Sequence, residues 1–414
     1  MPTVFIASPY FPPSALPPSQ RVRLLVRHLH EFGWKAVIFT VEPKYREEDP
    51  DPWMTEIAGD RFEKIMVTAW DQRKTRRFGI GDIGIRMFAG LYRAMLEKAK
   101  QEKPDLILFP VPPWYIMLLG PVIKKITGVR FVVDYIDPWI FDIKTSNLKA
   151  RISQWIARRS ERFVLKRAGA IFAVSEGILN DLRARYPALQ SGPMVAVPYG
   201  VEVTDYQTIR AAAGVDSRIR MRYTGAVSEN MLPVIDVLLA AMKKLNRQQP
   251  LDVLFTGTTY AGEGFIKPVL SDIIEAQSAG GFVQENPARV GYRTALQLGM
   301  DADFQLLIGD TTAYYAASKM MGLVASGKPF FALLNAASFP ANFLNQLQYP
   351  HMVLFAPEQL GHPELTERVY QGLVRAIREK DQYQPVSIHH PVLSQYTARA
   401  MTKTFTDTFQ KVIQ

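Results

Sequence analysis

The stretch that decides the fold is TVFIASPYFPPSALPPSQRVRLLVRHLHEFGWKAVIFTV, residues 3–41. It begins with the apolar run Thr3–Ser8, whose β-forming residues predict a buried parallel strand. A proline-rich loop follows, and apolar residues then recur at helical spacing up to Gly33, which predicts the end of a helix. Ala36–Val41 predicts a second strand. A strand, a helix and a strand within about forty residues form a βαβ unit, the repeating element of doubly wound parallel sheets.

The same alternation of strands and helices continues along the rest of the chain. In the first half, apolar runs predict further strands at 64–67, 105–109, 129–133, 170–174 and 195–197. A second series of predicted strands lies at 219–224, 251–256, 304–308, 329–334 and 353–355. The pattern therefore predicts an α/β protein with two Rossmann-like doubly wound parallel-sheet domains. Ligands of such sheets bind beyond the carboxyl ends of the strands, so we expect a central cleft there.

The polar, alanine-rich segment Gly200–Ser217 lies between the two series of strands and predicts a linker. We expect an N-terminal domain over 1–203, a C-terminal domain over 218–393 and a final amphipathic helix within 394–414. The length of 414 residues fits two domains of about 100–200 residues each.

Composition excludes several classes of protein. With 48% hydrophobic and 21% charged residues, the chain is neither disordered, nor collagen-like, nor a coiled coil. It contains no cysteine, which excludes a disulfide scaffold, a thiol nucleophile and a Cys-ligated metal. The N-terminus lacks the features of a secretory signal, and no apolar run approaches the ~18 residues of a membrane span. We therefore expect a cytoplasmic protein, soluble or held at the inner face of the membrane.

The chain is basic, because 49 Lys and Arg outnumber 39 Asp and Glu and give a net charge of +10. Much of this excess lies in the first half, where 124–167 alone contains eleven basic and four acidic residues. Trp139, Trp155 and Phe163 are interleaved with them. Such a pattern suits an anionic membrane or a lipid-phosphate acceptor, and a solvated basic helix face explains it equally well. No nucleic-acid partner is expected, because no RNP, helix-turn-helix or zinc-finger pattern is present.

Six segments, in this order, resemble the retaining GT-B glycosyltransferases of family 4, especially bacterial members that build cell-surface polysaccharides and glycolipids. They are the opening segment that starts YFPPSALPPSQ (10–41), DYIDPW (134–139), AGAIFAVSEGILNDL (168–182), VPYGVE (197–202), RYTGAVSENMLPVIDVLLAAMKKL (222–245) and ASKMMGLVASGKPFFALL (317–334). The resemblance implies a GT-B fold and transfer of a sugar from a nucleotide-sugar to a glycan or lipid-linked acceptor, with retention of configuration. It also implies a donor-binding C-terminal domain, an acceptor-binding N-terminal domain and a final helix that crosses back to the latter.

Residues 318–329 predict a loop that opens a helix, with Lys319 in its first turn. The N–H groups and partial positive charge of a helix N-terminus suit phosphate, and a lysine adds a full charge. The resemblance implies that Lys319 helps to clamp the donor diphosphate, whereas a solvated helix lysine is the alternative interpretation. The other candidates for donor binding are Ser318, Thr311, Thr312, Gly225 and Arg222.

This chain departs from the family pattern in the donor segment. The family commonly has a ribose-binding glutamate where Gly322 stands and another where Tyr314 stands. Many members also carry basic residues after the glycine that corresponds to Gly225, where this chain reads AVSENMLP (226–233), beginning with Ala226, without a basic residue. A non-catalytic nucleotide-sugar- or glycan-binding subunit of a glycan assembly complex is therefore the alternative prediction. A nucleotide-sugar epimerase of the same fold is a third.

Asp137 follows the predicted strand 129–133 and should lie in a carboxyl-end loop. A carboxylate there would accept the proton of the acceptor hydroxyl or orient the sugar, and capping of the next turn explains it equally well. We predict Asp137 as the catalytic residue. The candidates for acceptor binding are Ser14, Arg21, Arg23 and Trp139. An ordinary surface helix start is the alternative explanation of the two arginines.

No metal and no cofactor other than the nucleotide-sugar substrate are predicted. Asp301-Ala302-Asp303 is formally a D-x-D motif, but it directly precedes the apolar strand predicted at 304–308, so we expect a structural role. The six histidines show no spacing typical of metal ligands.

Overall fold

The structure, a computed structural model, describes residues 1–46, 48–140, 148–187, 189, 192–211, 217–259, 266–313, 315 and 319–414. These residues form two compact units, one of Met1–Gly200 with Ala398–Gln414 and one of Val201–Thr397. Each unit contains one all-parallel sheet with flanking helices, which confirms the predicted fold class. Among the described residues, no helix combines the length and the apolar character needed to cross a bilayer.

The first unit contains a seven-stranded sheet in the order β3-β2-β1-β4-β5-β6-β7. Its strands are β1 Thr3–Ala7, β2 Lys35–Val41, β3 Glu63–Val67, β4 Leu106–Val111, β5 Arg130–Tyr135, β6 Ile171–Ala173 and β7 Met194–Ala196. Its helices up to residue 200 are α1 Pro17–Leu29, α2 Pro52–Ala58, α3 Gln72–Thr75, α4 Ile83–Arg86, α5 Phe88–Glu102, α6 Leu119–Thr127, α7 Leu148–Leu165 and α8 Glu176–Arg185.

The second unit repeats this arrangement with six strands in the order β10-β9-β8-β11-β12-β13. Its strands are β8 Ile219–Thr224, β9 Leu251–Thr256, β10 Val283–Asn286, β11 Phe304–Ile308, β12 Phe330–Asn335 and β13 Met352–Phe355. Its helices are α9 Thr204–Gln207, α10 Leu232–Asn246, α11 Ser271–Ala276, α12 Tyr292–Asp301, α13 Met320–Ala325, α14 Phe339–Gln346 and α15 Pro363–Arg378.

In each sheet the strand order reverses beside the first strand, between β1 and β4 and between β8 and β11. Loops leave such a switch point toward opposite faces of the sheet, and this opens a crevice beyond the strand ends. The candidate ligand-binding residues of each unit should therefore follow these strands.

The last helix, α16 Ala398–Ile413, belongs to the first unit although it is far from it in sequence. Its Phe405 packs against Phe172 of β6 with ring centres 4.4 Å apart. Phe409 packs against Trp34 at 5.3 Å. The helix thus covers one apolar face of the sheet, while helices such as α5 cover the other.

Candidate functional site

In the second unit, Gly225 lies directly after β8 and has a φ angle of +136°, a backbone conformation that residues other than glycine rarely adopt. Its N–H donates to the carbonyl oxygen of Thr256, at the end of β9, over 2.8 Å. A Cβ atom at this position would lie 2.8 Å from Nζ of Lys319. Glycine is therefore required both for the turn and for the close approach of the lysine.

Lys319 directly precedes α13, and its partly buried ammonium group reaches the end of β8. Its Nζ donates to the carbonyl oxygen of Thr224 over 3.0 Å and lies 3.5 Å from the centre of the Tyr223 ring. Burial lowers the pKa of Lys319 to about 7. No carboxylate of the described residues forms an ion pair with it, although a desolvated charge is normally paired. The arrangement therefore favours an anionic ligand.

The loop after β11 is tied to its neighbours by its own polar groups. The carboxylate of Asp310 accepts hydrogen bonds of 2.7 Å from both the N–H and the hydroxyl of Thr312. The Thr311 N–H donates to the Asn230 carbonyl over 3.2 Å, and the Asn335 side chain donates to the Thr311 carbonyl over 3.1 Å. Thr311 and Thr312 thus fix the loop at the carboxyl end of the sheet, with these backbone groups already hydrogen-bonded.

Gly322 lies in α13 with the hydroxyl group of Tyr206 directly against it. A Cβ atom at Gly322 would lie only 2.5 Å from that hydroxyl oxygen. The place where the family commonly has a glutamate is therefore filled by Tyr206, which sequence reasoning missed. Tyr314 and the predicted donor residue Ser318 lie outside the described residues.

The side chain of Arg222 does not extend toward the donor candidates Gly225 and Lys319. Its guanidinium forms an ion pair with the Asp252 carboxylate and donates to the Asp252 carbonyl oxygen over 2.6 Å. Arg222 is level with Leu254 in the sheet, so Asp252 lies toward the amino end of β9. The structure gives Arg222 an ion pair within the sheet in place of the predicted donor contact, because its side chain extends away from the carboxyl ends of the strands.

In the first unit, Arg21 has a structural role in place of the predicted acceptor contact. It forms two hydrogen bonds with the carboxylate of Asp134, of 2.9 and 3.0 Å, and both residues are only 1% exposed. A third hydrogen bond, of 3.0 Å, goes to the carbonyl oxygen of Pro198. Arg21 is therefore not an acceptor-binding residue, because a buried guanidinium in a bidentate pair with a carboxylate has no group available to a ligand.

Ser14 and Arg23 are also buried, contrary to the expectation that they contact an acceptor. The carbonyl oxygen of Ser14 accepts a hydrogen bond from the Ser19 hydroxyl, and Nε of Arg23 donates to the Gln20 side chain over 2.9 Å. These bonds shape the start of α1 from within.

Asp137 and Trp139, in contrast, lie in the loop after β5 within an aromatic cluster that sequence reasoning only partly found. The Trp139 ring is parallel to the Trp114 ring at 6.5 Å and perpendicular to the Tyr115 ring at 5.4 Å. All three rings are partly exposed. The pair Trp114-Tyr115 lies just beyond β4, after Pro112 and Pro113, and β4 is one of the two strands beside the switch point. This position is the sequence signal that would have identified the pair.

The carboxylate of Asp137 is exposed, yet neighbouring atoms desolvate it enough to raise its pKa. Among the described residues, no side chain donates a hydrogen bond to it. The loop itself is held by the Trp114 indole N–H, which donates to the Asp137 carbonyl oxygen over 3.4 Å, and by Arg185, which donates to the Ile140 carbonyl over 3.1 Å. The arrangement offers a carboxylate with raised pKa beside flat apolar rings.

No group of three or more His, Asp or Glu side chains among the described residues is placed to hold a metal ion. The D-x-D motif has other partners. Asp303 accepts from the Arg220 N–H over 2.9 Å and from Lys380 over 3.3 Å, and Asp301 accepts from Gln297 over 2.8 Å. These bonds join α12, β8 and the segment after α15.

Residues 18–200 match the family model described as "Glycosyl transferase 4-like domain". No curated protein is significantly similar in sequence. Among solved structures, the chain is similar to Anabaena HepE in complex with UDP and glucose, with a TM-score of 0.64, 11% identity and coverage of 99% of this chain and 100% of that one.

Two further solved structures have the same fold. Sucrose-phosphate synthase from Thermosynechococcus elongatus has a TM-score of 0.62 and 13% identity, and coverage is 100% of this chain and 95% of that one. A putative UDP-N-acetylglucosamine 2-epimerase from Listeria monocytogenes has a TM-score of 0.55 and 9% identity, with coverage of 99% and 96%. At these identities the similarity establishes the GT-B fold alone.

Proposed function

We propose that this chain, which carries a glycosyl transferase 4-like domain over residues 18–200, is a nucleotide-sugar-dependent hexosyltransferase. The observation that carries the proposal is the ammonium group of Lys319, which is desolvated at the carboxyl end of β8 without a carboxylate partner among the described residues. The diphosphate of a nucleotide-sugar supplies the negative charge that this position lacks. The similarity to a structure in complex with UDP and glucose supports the same ligand class.

In the proposed reaction, the bond between the donor sugar and the diphosphate breaks, and the nucleoside diphosphate leaves with the electron pair of that bond. The acceptor hydroxyl oxygen forms the new glycosidic bond. Lys319 offsets the negative charge that develops on the leaving phosphate, which is the main electrostatic requirement of such a transfer. Transfer with retention follows if a leaving phosphate oxygen takes the proton of the attacking hydroxyl on the same face of the sugar. We propose that no metal takes part, in line with the offset of the leaving-group charge by Lys319.

We propose the loop after β5 as the acceptor site. The rings of Trp114, Tyr115 and Trp139 offer flat apolar surface to the C–H face of a sugar ring. Asp137 accepts a hydrogen bond from a hydroxyl of the acceptor sugar and orients it, and its raised pKa makes it a stronger acceptor, while the leaving phosphate takes the proton of the attacking hydroxyl. A glycan or lipid-linked sugar is the acceptor class that this combination fits, in polysaccharide or glycolipid synthesis at the cytoplasmic side of a membrane.

A calorimetric panel of UDP-, GDP-, ADP- and dTDP-sugars tests donor binding. We expect one nucleotide to bind clearly and to raise the melting temperature, since ligand at 100 times its Kd adds about 2.7 kcal/mol to the free energy of unfolding. Lys319→Ala should reduce the stabilisation at the same ligand concentration to about 1.4 kcal/mol or less, because we expect its Kd to be at least roughly tenfold higher. Lys328→Ala is the matched control, because burial also lowers the pKa of Lys328, which lies at the amino end of β12, with one residue between it and the strand. Absence of any binding at millimolar nucleotide-sugar would overturn the proposal.

A second candidate is a non-catalytic subunit that binds a nucleotide-sugar or glycan. The specific observation in its favour is the Tyr206 hydroxyl at Gly322, which occupies the place of an expected carboxylate. Release of nucleoside diphosphate that depends on added acceptor distinguishes transfer from binding alone. Interconversion of the sugar without acceptor would identify an epimerase instead.

A further inference from the structure

Helices α6 and α7 of the first unit expose an unusual amount of apolar surface. Six large apolar side chains on these two helices are between 40% and 57% exposed, and they are Val122, Ile126, Ile152, Trp155, Ile156 and Phe163. They are half of the twelve large apolar side chains that are exposed among the described residues. Lys124 of α6 donates to the carbonyl oxygen of Arg167, just after α7, over 3.0 Å, so the ends of the two helices are adjacent. We call this surface the α6/α7 face.

The core does not require these apolar residues. On α7 the side chains that pack inward are Ala157, Glu161, Val164 and Leu165, which recur at helical spacing and form one stripe. The exposed apolar residues of α7 lie on the remaining circumference, again three, four or seven positions apart. An amphipathic helix of a protein surrounded by water normally carries polar residues there.

Interleaved with them are exposed basic residues. They are Lys125, Arg151, Arg158, Arg159, Arg162, Lys166 and Arg167. The guanidinium of Arg159 lies over the Trp155 ring at 4.6 Å, and that of Arg167 over the Phe163 ring at 4.2 Å. The α6/α7 face therefore mixes apolar rings and positive charge at contact distance.

Negative charge on the described part of these helices is confined to Glu161, which is fully buried. Its carboxylate accepts hydrogen bonds from the hydroxyl groups of Tyr135 and Tyr186, over 3.1 and 2.8 Å, and pairs with Arg185 at 3.1 Å. Beside it, Trp155, Arg158, Arg159, Arg162 and Lys166 line an open groove of about 410 Å³. Arg185 lines the same groove, and five basic side chains beside an indole ring suit phosphate groups that carry apolar substituents.

We propose that the α6/α7 face docks on an anionic lipid bilayer. The apolar side chains enter the boundary between headgroups and acyl chains, while the arginines and lysines bind lipid phosphates. A polyanion without acyl chains would satisfy the charges but leave Ile152, Ile156 and Phe163 in water, so a bilayer accounts for both properties. The inference rests on the proposed function only in that docking brings the acceptor site to a lipid-linked substrate.

Co-sedimentation with vesicles tests the docking. The purified full chain is mixed with vesicles of phosphatidylcholine alone, or of phosphatidylcholine and phosphatidylglycerol at roughly 2:1, at low and at high salt. We expect binding to the anionic vesicles, a strong reduction at high salt and little binding to phosphatidylcholine alone.

Two variants and a matched control locate the surface. Arg158→Gln/Arg159→Gln/Arg162→Gln removes three charges and should lower the partition coefficient on the order of 100-fold, since each charge near an anionic surface contributes about fivefold. Trp155→Ala/Ile156→Ala keeps these charges and should lower it by at least about tenfold through lost apolar contact. Arg73→Gln/Arg76→Gln/Arg77→Gln removes three exposed charges from another part of the same unit and should retain most of the binding.

Equal losses in the charge variant and in its matched control would overturn the α6/α7 face as the docking surface. So would equal binding to both vesicle types, binding to neither, or preferential binding to RNA added as a competitor. The failure of the proposed function is distinguishable, because nucleotide-sugar binding is measured without lipid. Variants of the α6/α7 face should bind the donor as the unchanged chain does, while Lys319→Ala should bind vesicles normally.

Discussion

Arg21, in the second turn of α1, and Lys319, directly before α13, are both cations for which the sequence predicts a contact with a ligand. Arg21 meets the Asp134 carboxylate in a buried bidentate pair, and every part of this contact is internal. Lys319 is also desolvated, but its Nζ contacts a carbonyl oxygen and a tyrosine ring and pairs with no carboxylate among the described residues. An internal counter-charge thus distinguishes Arg21, which stabilises the fold, from Lys319, which we propose binds an anionic ligand.

The buried pair of Arg21 and Asp134 should respond most strongly to mutation. Asp134→Ala leaves the Arg21 guanidinium buried without its counter-charge and should lower the free energy of unfolding by about 3–5 kcal/mol. Urea denaturation of the variant measures the change. Arg21→Met/Asp134→Leu is the matched control, because removal of both charges avoids the unpaired ion and should restore most of the loss. A loss below 1 kcal/mol for Asp134→Ala would contradict the structural role.

Lys319→Ala tests the role of the cation that has no carboxylate partner among the described residues. The change removes the proposed charge-assisted contact to the donor phosphates. Such a contact typically contributes about 1.5–3 kcal/mol, so the Kd should rise roughly 10- to 100-fold. The free energy of unfolding without ligand should stay the same or increase, because a desolvated ammonium is lost. Isothermal titration with the preferred nucleotide-sugar and urea denaturation give the two values. A destabilised variant with unchanged affinity would show that Lys319 resembles Arg21 after all.

The pH dependence of donor binding tests whether Lys319 becomes protonated when the donor binds. The pKa of Lys319 is about 7 in the ligand-free protein, and a bound diphosphate favours the protonated amine and raises that pKa. Above pH 7 binding must therefore take up a proton, and the Kd should rise by up to about tenfold per pH unit. Below pH 7 the amine is already protonated and contributes little further change.

Titrations at pH 8 in buffers of different ionisation enthalpy measure the proton uptake directly. Lys319→Arg keeps a positive charge at all these pH values and should remove the uptake. Equal binding enthalpies in all buffers for the unchanged chain would contradict a lowered pKa at this lysine.

Periodicity in the sequence was sufficient for most of the fold. Twelve of the thirteen strands in the described part of the chain were predicted, because alternating apolar runs and helical spacing are local properties. The exception is β10, Val283–Asn286, a short and largely polar strand at the edge of its sheet. With only Val283 buried in it, the segment has no apolar pattern that distinguishes it from a loop.

The candidate sites were less predictable, because a side chain's partner depends on tertiary structure. Arg21 and Asp134 are 113 positions apart, and the local sequence around either residue does not predict their ion pair. The Tyr206 hydroxyl at Gly322 is equally remote in sequence. Lys319 and Gly225 were identified as donor candidates through the family resemblance, and their mutual contact became evident only in the structure. Contacts within one motif are predictable, whereas contacts between distant motifs require coordinates.

Loss of the ion pair between Arg222 and Asp252 should change the free energy of unfolding the least, because this pair is only partly buried. Arg222 is thus intermediate between Arg21 and Lys319. The two side chains are 13% and 25% exposed, so water screens the interaction, and the Arg222 guanidinium keeps a hydrogen bond to the Asp252 main-chain carbonyl. Asp252→Asn should therefore lower the free energy of unfolding by no more than about 1 kcal/mol. Nucleotide affinity should not change, because the pair extends toward the amino end of β9. A rise of tenfold or more in the Kd for Arg222→Gln, without a comparable loss of stability, would instead place this arginine with Lys319 among the cations that serve the donor.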